Sequence, residues 1–205
     1  LYTHFIISLF LLLMIDKSIS DDPTLMRKIL WLKATRNSYT AIGKYLIYHR
    51  TTIKRMYDNI LDKLTNKIIK ELQQFGAVTP FTSSDLIESG KRLKAFGVET
   101  EEIVAVTKRL ADVAGTVGQP LGEIVAAYGK IQARGKLTLE TLEPLQIRGI
   151  NITDELSKMT GLYGDELTKA MSKGKIGAGL VEQAFKNLTS ESGLYFEGAI
   201  KQSET

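Results

Sequence analysis

The sequence contains no cysteine, which excludes disulfides and thiolate metal sites and fits a reducing compartment. It contains two histidines, His4 and His49. A histidine-built metal centre is therefore not expected, and no serine or threonine in the back half has an imidazole nearby in sequence to activate it. No G-x-S-x-G nucleophile turn occurs. After residue 20 no apolar/polar alternation is long enough to read as a strand, so extended structure is expected only as short pairings in glycine-containing turns. Long apolar runs are scarce as well. FIISLFLLLMI at 5–15 has 11 residues, short of the roughly 20 that a membrane-spanning helix needs. It also lacks the basic flank and small-residue cleavage site of a secretory signal. It reads as a buried segment or as sequence not native to this protein, and residues 1–23 are set apart as an apolar leader.

What is present is enough for one large domain or two small ones: 205 residues, 43% hydrophobic and 24% charged. The net charge of +4 is unevenly spread. Residues 1–75 carry 12 Lys+Arg against 6 Asp+Glu, and residues 76–205 carry 15 against 17. A basic front unit and a near-neutral back unit are expected to do different work. The chain starts at Leu1 and stops inside a helical pattern, and it reads as a fragment.

The periodicity is helical throughout. TLMRKILWLKAT, YTAIGKYL and a third segment from Arg50 to Leu64 make a basic helical unit over 24–71; the third places Ile53, Met56, Tyr57, Ile60 and Leu64 on one face. From Leu72 onward short helices are punctuated by glycine, proline and threonine. Thr82 or Ser83 is expected to cap a helix over 84–96 that Gly97 stops. Thr100 should cap the next, ended by Gly118, and Pro120 should take the first position of the one after, ended by Gly135. Thr138 should cap 139–147, with Gly149 at the following turn, and Thr153 should cap a helix through Met159. Helices over 163–172, 178–189 and 194–205 complete an all-α, multi-helix compact domain, with Gly174 as a further turn.

Two glycine-rich stretches test for nucleotide chemistry. GKIQARGKLT, Gly129 to Thr138, nearly spells a phosphate-binding loop. A Walker A loop has four residues between its glycines, a hydroxyl after the lysine and a strand ahead of it. Here there are five, Lys136 is followed by Leu137, and GEIVAAYGKIQ ahead is helical. The stretch reads as a helix–turn–helix corner. KGKIGAG at 173–179 precedes a helix start, a place that binds anions, but it has no upstream strand and no acidic ribose partner; a C-cap followed by an N-cap explains it. Carboxylates are plentiful (Glu99, Glu101, Glu102, Asp112, Glu123, Glu140, Glu143, Asp154, Glu155), and most fall in first helical turns, where the helix dipole favours them. No catalytic, cofactor or metal residues are assigned, and no small-molecule substrate is expected.

The series FGAVTPFTSSDL (75–86), RLKAFGV (92–98), RLADVAGTVGQPLGEIVAAYGKIQARGKLTLETLEPLQIRGINI (109–152), ELSKMTGLYGDELTKAMSKGKIG (155–177) and VEQAFKNLTSESGLYFEGAIKQSET (181–205) resembles the N-terminal conserved region of bacteriophage and prophage tail length tape measure proteins. The resemblance implies a structural, non-enzymatic phage protein, with residues 72–205 as a C-terminally truncated tape measure N-terminal domain. Such proteins run as helical rods inside a growing tail, where about 1.5 Å of rise per residue converts chain length into tail length. The implied partners are tail tube and tail assembly chaperone proteins and further copies of the chain. The implied location is the virion tail, assembled in the bacterial host cytoplasm.

YTAIGKYLIYHRTTIKRMYD at 39–58 resembles a phage helix-turn-helix regulator, although Ile47 stands where the turn commonly has glycine. It offers an alternative reading: a DNA-binding regulator acting through 39–64, with Arg50, Thr51, Thr52, Lys54 and Arg55 at the start of the recognition helix, joined to the tail region by a fusion or a chimeric reading frame. A tail-associated peptidoglycan hydrolase is the third class considered and is not expected.

Overall fold

A computed structural model of the chain describes residues 50–203 and, before them, 29, 31–33, 35–38 and 40–42. The apolar run at 5–15 lies outside the described residues. The chain divides into two compact units, Leu1–Ile68 and Ile69–Thr205. Among the described residues the regular elements are helices, and the extended pairing is one isolated antiparallel bridge, so the fold is all-α.

In the first unit, residues 31–33 and 40–42 are helical. The turn between them is closed by Asn37, whose side-chain amide donates to the Leu32 carbonyl at 3.0 Å, and by the Ser38 hydroxyl, which accepts from the Ala41 amide at 3.1 Å. Ile29, Leu32 and Ile42 form a small core, with Trp31, Met56 and Tyr57 packed against it. Helix α1, Arg50–Gly76, supplies the last two. It is 27 residues long and does not end at Leu64. Between Leu64 and Gly76 there is no proline or glycine, and Leu64, Ile68, Leu72 and Phe75 continue the 3.6-residue spacing.

In the second unit, Thr82 opens α2, Ser83–Ala95, with a capping box: its hydroxyl accepts from the Asp85 amide at 3.1 Å, and the Asp85 carboxylate accepts from the Thr82 amide at 3.3 Å. After the 3-10 turn Thr100–Glu102 come α3, Ile103–Val117, and α4, Leu121–Arg134. Helices α2, α3 and α4 pack on one another. Leu86, Leu93, Val106, Leu110, Ile124 and Ile131 are each at most 2% exposed within that core. The remaining helices are α5, Leu139–Ile147; α6, Ile152–Thr160; α7, Asp165–Ser172; α8, Ala178–Leu188; and α9, Gly198–Ser203. Helix α8 packs on α6 and α4, and α9 lies along α3. Tyr128 of α4 meets Phe185 of α8 edge to face, centroids 5.3 Å apart and planes at 86°.

Three capping expectations are corrected. Thr100 lies within the 3-10 turn, because the Glu102 amide bonds to the Glu99 carbonyl and delays the α-helix to Ile103. Pro120 is one place earlier than expected, as N-cap of α4, its carbonyl accepting from the Glu123 amide at 3.0 Å. Thr153 is inside α6, whose N-cap is Asn151; its hydroxyl donates to Asn151 Oδ1 at 2.6 Å. The chain turns so sharply at Gly149 that the Ile150 amide closes on the Leu145 carbonyl, and the next helix begins two residues later. The last helix is also shorter than 194–205. The Tyr195 amide bonds back to the Leu188 carbonyl, and the backbone continues in turns up to Glu197 at φ +52°.

Candidate functional site

The two glycine-rich stretches, read separately in the sequence, come together in the structure. Gly135 ends α4 at φ +70°, a conformation that costs an L side chain roughly 1–2 kcal/mol. The chain then runs extended for two residues beside the one that leaves α7. Lys136 and Gly177 form the isolated antiparallel bridge. The Leu137 amide donates to the Ile176 carbonyl at 2.8 Å, and the Ala178 amide donates to the Gly135 carbonyl at 2.9 Å. Leu137 is fully buried and Ile176 is 2% exposed, so each strand of the bridge also carries an apolar anchor into the core. On the opposite side Gly174, at φ +68°, lies under the Lys136 side chain: a Cβ there would stand 3.1 Å from Lys136 Cδ. Thr138 then caps α5, its hydroxyl accepting from the Thr141 amide at 3.3 Å while Thr141 Oγ1 accepts from the Thr138 amide at 2.9 Å.

This geometry does not match a phosphate loop. The element ahead of Gly135 is the helix α4, and Gly129 lies within it. Two helix starts meet at this corner, those of α5 and α8; the Thr141 amide of the first is bonded to the Thr138 hydroxyl, and the Ala178 amide of the second to the Gly135 carbonyl. The corner is a two-residue staple between helix ends.

The other turn residues named from the sequence take up similar posts. Gly97, Gly118 and Gly149 have positive φ just past the ends of α2, α3 and α5. Five of the carboxylates, Asp112, Glu123, Glu140, Asp154 and Glu155, are held in structural contacts. Arg134 pairs with Glu140 through two guanidinium bonds of 2.7 Å, which keeps the Glu140 carboxyl below the ordinary glutamate range. Arg148 pairs with Glu123 at 2.9 Å, the Asn187 amide donates to Glu155 at 2.7 Å, and Asn151 donates to Asp154 at 2.7 Å. The Tyr128 hydroxyl is pushed well above the usual phenol range, by burial first and by the nearby Glu182 carboxylate second. Among the described residues no group of three or more His, Asp or Glu could hold a metal ion, and no helix is long and apolar enough to cross a membrane.

The helix-turn-helix reading finds no support. The turn it needs, 43–49, and the side chains of Arg50, Thr51 and Thr52 lie outside the described residues. Lys54 and Arg55 are exposed on a helix that continues to Gly76, far beyond the Leu64 end expected of a recognition helix.

The architecture is thus that of a helical structural domain whose glycines and threonines set helix ends. The chain belongs to the tape measure protein family, matching it over residues 61–205. It is also similar to the Mu-like prophage FluMu protein gp42 of Haemophilus influenzae, with 26% identity over 135 residues, covering 64% of this chain and 21% of that protein. The chain therefore spans about a fifth of that relative's length. No solved structure matches it. Family and relative together define a phage tail-related role.

Proposed function

We propose that the second unit is a compact helical head of a tape measure protein, which acts in tail assembly and helps determine tail length within the virion tail. The observation that carries this reading is the family match from residue 61 to residue 205, which takes in helices α2 to α9. Its work is structural and non-enzymatic. The domain itself is too short and too often interrupted to act as the ruler, which would be a longer helical segment of the protein. Tail tube and tail assembly chaperone proteins are the proposed partners, together with further copies of the chain, on particles assembled in the bacterial cytoplasm. Exposed apolar side chains support partner contact: Ile147, Tyr163 and Leu139 are 75%, 64% and 47% exposed, and the last two line a groove of about 710 Å³ between α5, α6 and α7.

The test is genetic. The prophage gene is replaced by a version lacking the codons for residues 72–205, and induced particles are measured by negative-stain electron microscopy. Loss of tails, or tails of scattered length, is expected. Tails of normal number and length would overturn the reading.

A further inference from the structure

Glu197 is held at φ +52°, where a residue with a Cβ is strained. In the second unit, among the described residues, the seven other positions of positive φ are all glycines. The sequence thus relieves this kind of strain at every other such turn and retains it at Glu197, although a glycine stands next to it at 198. Strain of this sort persists only where the surrounding contacts enforce it, and it gathers at elements that switch.

The enforcing contacts are those of α9. That helix has six residues, too few to be stable alone, so its structure depends on what it packs against. It packs along α3. The Asp112 carboxylate accepts from the Ala199 amide at 3.2 Å, and Ala199 is fully buried. Gly198 lies against the Asp112 carbonyl and the Thr116 hydroxyl, leaving no room for a Cβ. Gly115 has none either, facing the backbone of Gly198 and Ala199. Two glycines seated backbone to backbone leave little scope for partial docking: the helix is either home or lifted. On the other side of Glu197 the chain is fixed. Tyr195 is 2% exposed, and its amide donates to the Leu188 carbonyl at 2.8 Å. A buried anchor, a strained residue and a close-fitting helix therefore follow one another between 195 and 199.

We propose that α9 is a latch hinged at Glu197, which lifts from α3 as a unit while Tyr195 and the α2–α4 core stay in place. Lifting breaks the Asp112–Ala199 bond and parts the two glycines, and it lets Glu197 relax out of the left-handed region. The strain offsets part of what seating gains, so the closed and lifted states lie close in free energy. Whatever bears differently on the two states then shifts the balance with a small interaction. The latch is a property of this chain and stands or falls apart from the tail-assembly reading.

The experiment follows amide hydrogen exchange of the 15N-labelled full chain by NMR, with and without low urea. Ala199 is compared with Leu110 and Val113, which are buried in α3. Ala199 is expected to exchange at least tenfold faster than either, at a rate that low urea barely changes, as local opening requires. Glu197→Gly removes the strain and should slow exchange at Ala199 about fivefold. Gly115→Ala prevents seating and should quicken it at least tenfold, with Leu110 and Val113 unchanged. Exchange of Ala199 in step with Leu110 and Val113 would show that α9 opens only with the core. Exchange at Ala199 that is unchanged or faster in Glu197→Gly, or unchanged in Gly115→Ala, would remove the hinge or the seat. Any of these results overturns the proposal.

Discussion

Gly129, midway along α4, lies flat against the ring of Phe96, so close that a Cβ at 129 would fall inside the ring's van der Waals surface. The contact is what allows α2 and α4 to approach over their shared length. It also inverts the ordinary preference for alanine over glycine in a helix. Gly129→Ala is expected to destabilise the chain by about 1–3 kcal/mol through overpacking. Gly122→Ala, in the same helix, should stabilise it by up to about 1 kcal/mol. Urea unfolding of the two variants checks the opposite signs; equal signs would refute the assignment of the two glycines to different roles.

At the staple, Gly135→Ala forces a side chain into φ +70° and should lower stability by about 1–2 kcal/mol. The same change strains the carbonyl that receives the Ala178 amide. Hydrogen exchange should therefore quicken at Leu137 and Ala178 in this variant, although the two amides are distant in sequence. Faster exchange at Leu137 alone would show that the bridge does not couple the helix ends.

Thr138→Ala removes the capping hydroxyl of α5, and a loss of about 1 kcal/mol is expected. Thr138→Ser keeps the oxygen and should recover most of it. The comparison is made by thermal melts followed by circular dichroism, whose native spectrum should be dominated by helix.

Asp112 holds the start of the last helix from a distance. Its carboxylate oxygen accepts from the Ala199 amide at 3.2 Å, and Gly198 lies against the α3 backbone at the same crossing. Asp112→Ala should leave the α2–α4 core folded while amides 198–203 lose protection from exchange. Retained protection would assign the anchoring of α9 to the Gly115–Gly198 approach alone.

Glu140 titrates below the ordinary glutamate range because Arg134 donates two bonds to it. A depressed carboxylate contributes stability above the unfolded-state pKa, and that contribution disappears as pH falls through the folded value. Side-chain carbonyl NMR should show this midpoint, and Arg134→Ala should move it upward. Because both groups are solvent-exposed, the accompanying change in acid stability should be small.

Much of the fold was legible without coordinates because helix ends are written locally. Thr82 and Thr138 stand immediately before helical periodicity and cap it, and Gly97, Gly118 and Gly135 stand immediately after it at positive φ. Where the reading slipped, a neighbouring turn had taken over the role. The 3-10 turn displaced Thr100, Asn151 pre-empted Thr153, and an unbroken apolar stripe carried α1 past Leu64 to Gly76.

The sequence by itself determined the class of element, the positions of most breaks, the exclusion of thiolate chemistry and the family resemblance, since each depends on residues near one another in the chain. Only the tertiary structure decided that residues 135–138 and 174–178 are one corner, that Asp112 serves a helix far downstream, and that Gly129 closes a contact on Phe96. Those are relations between distant segments. A two-residue bridge has no period to detect, and a glycine has no side chain to reveal which neighbour it was needed for.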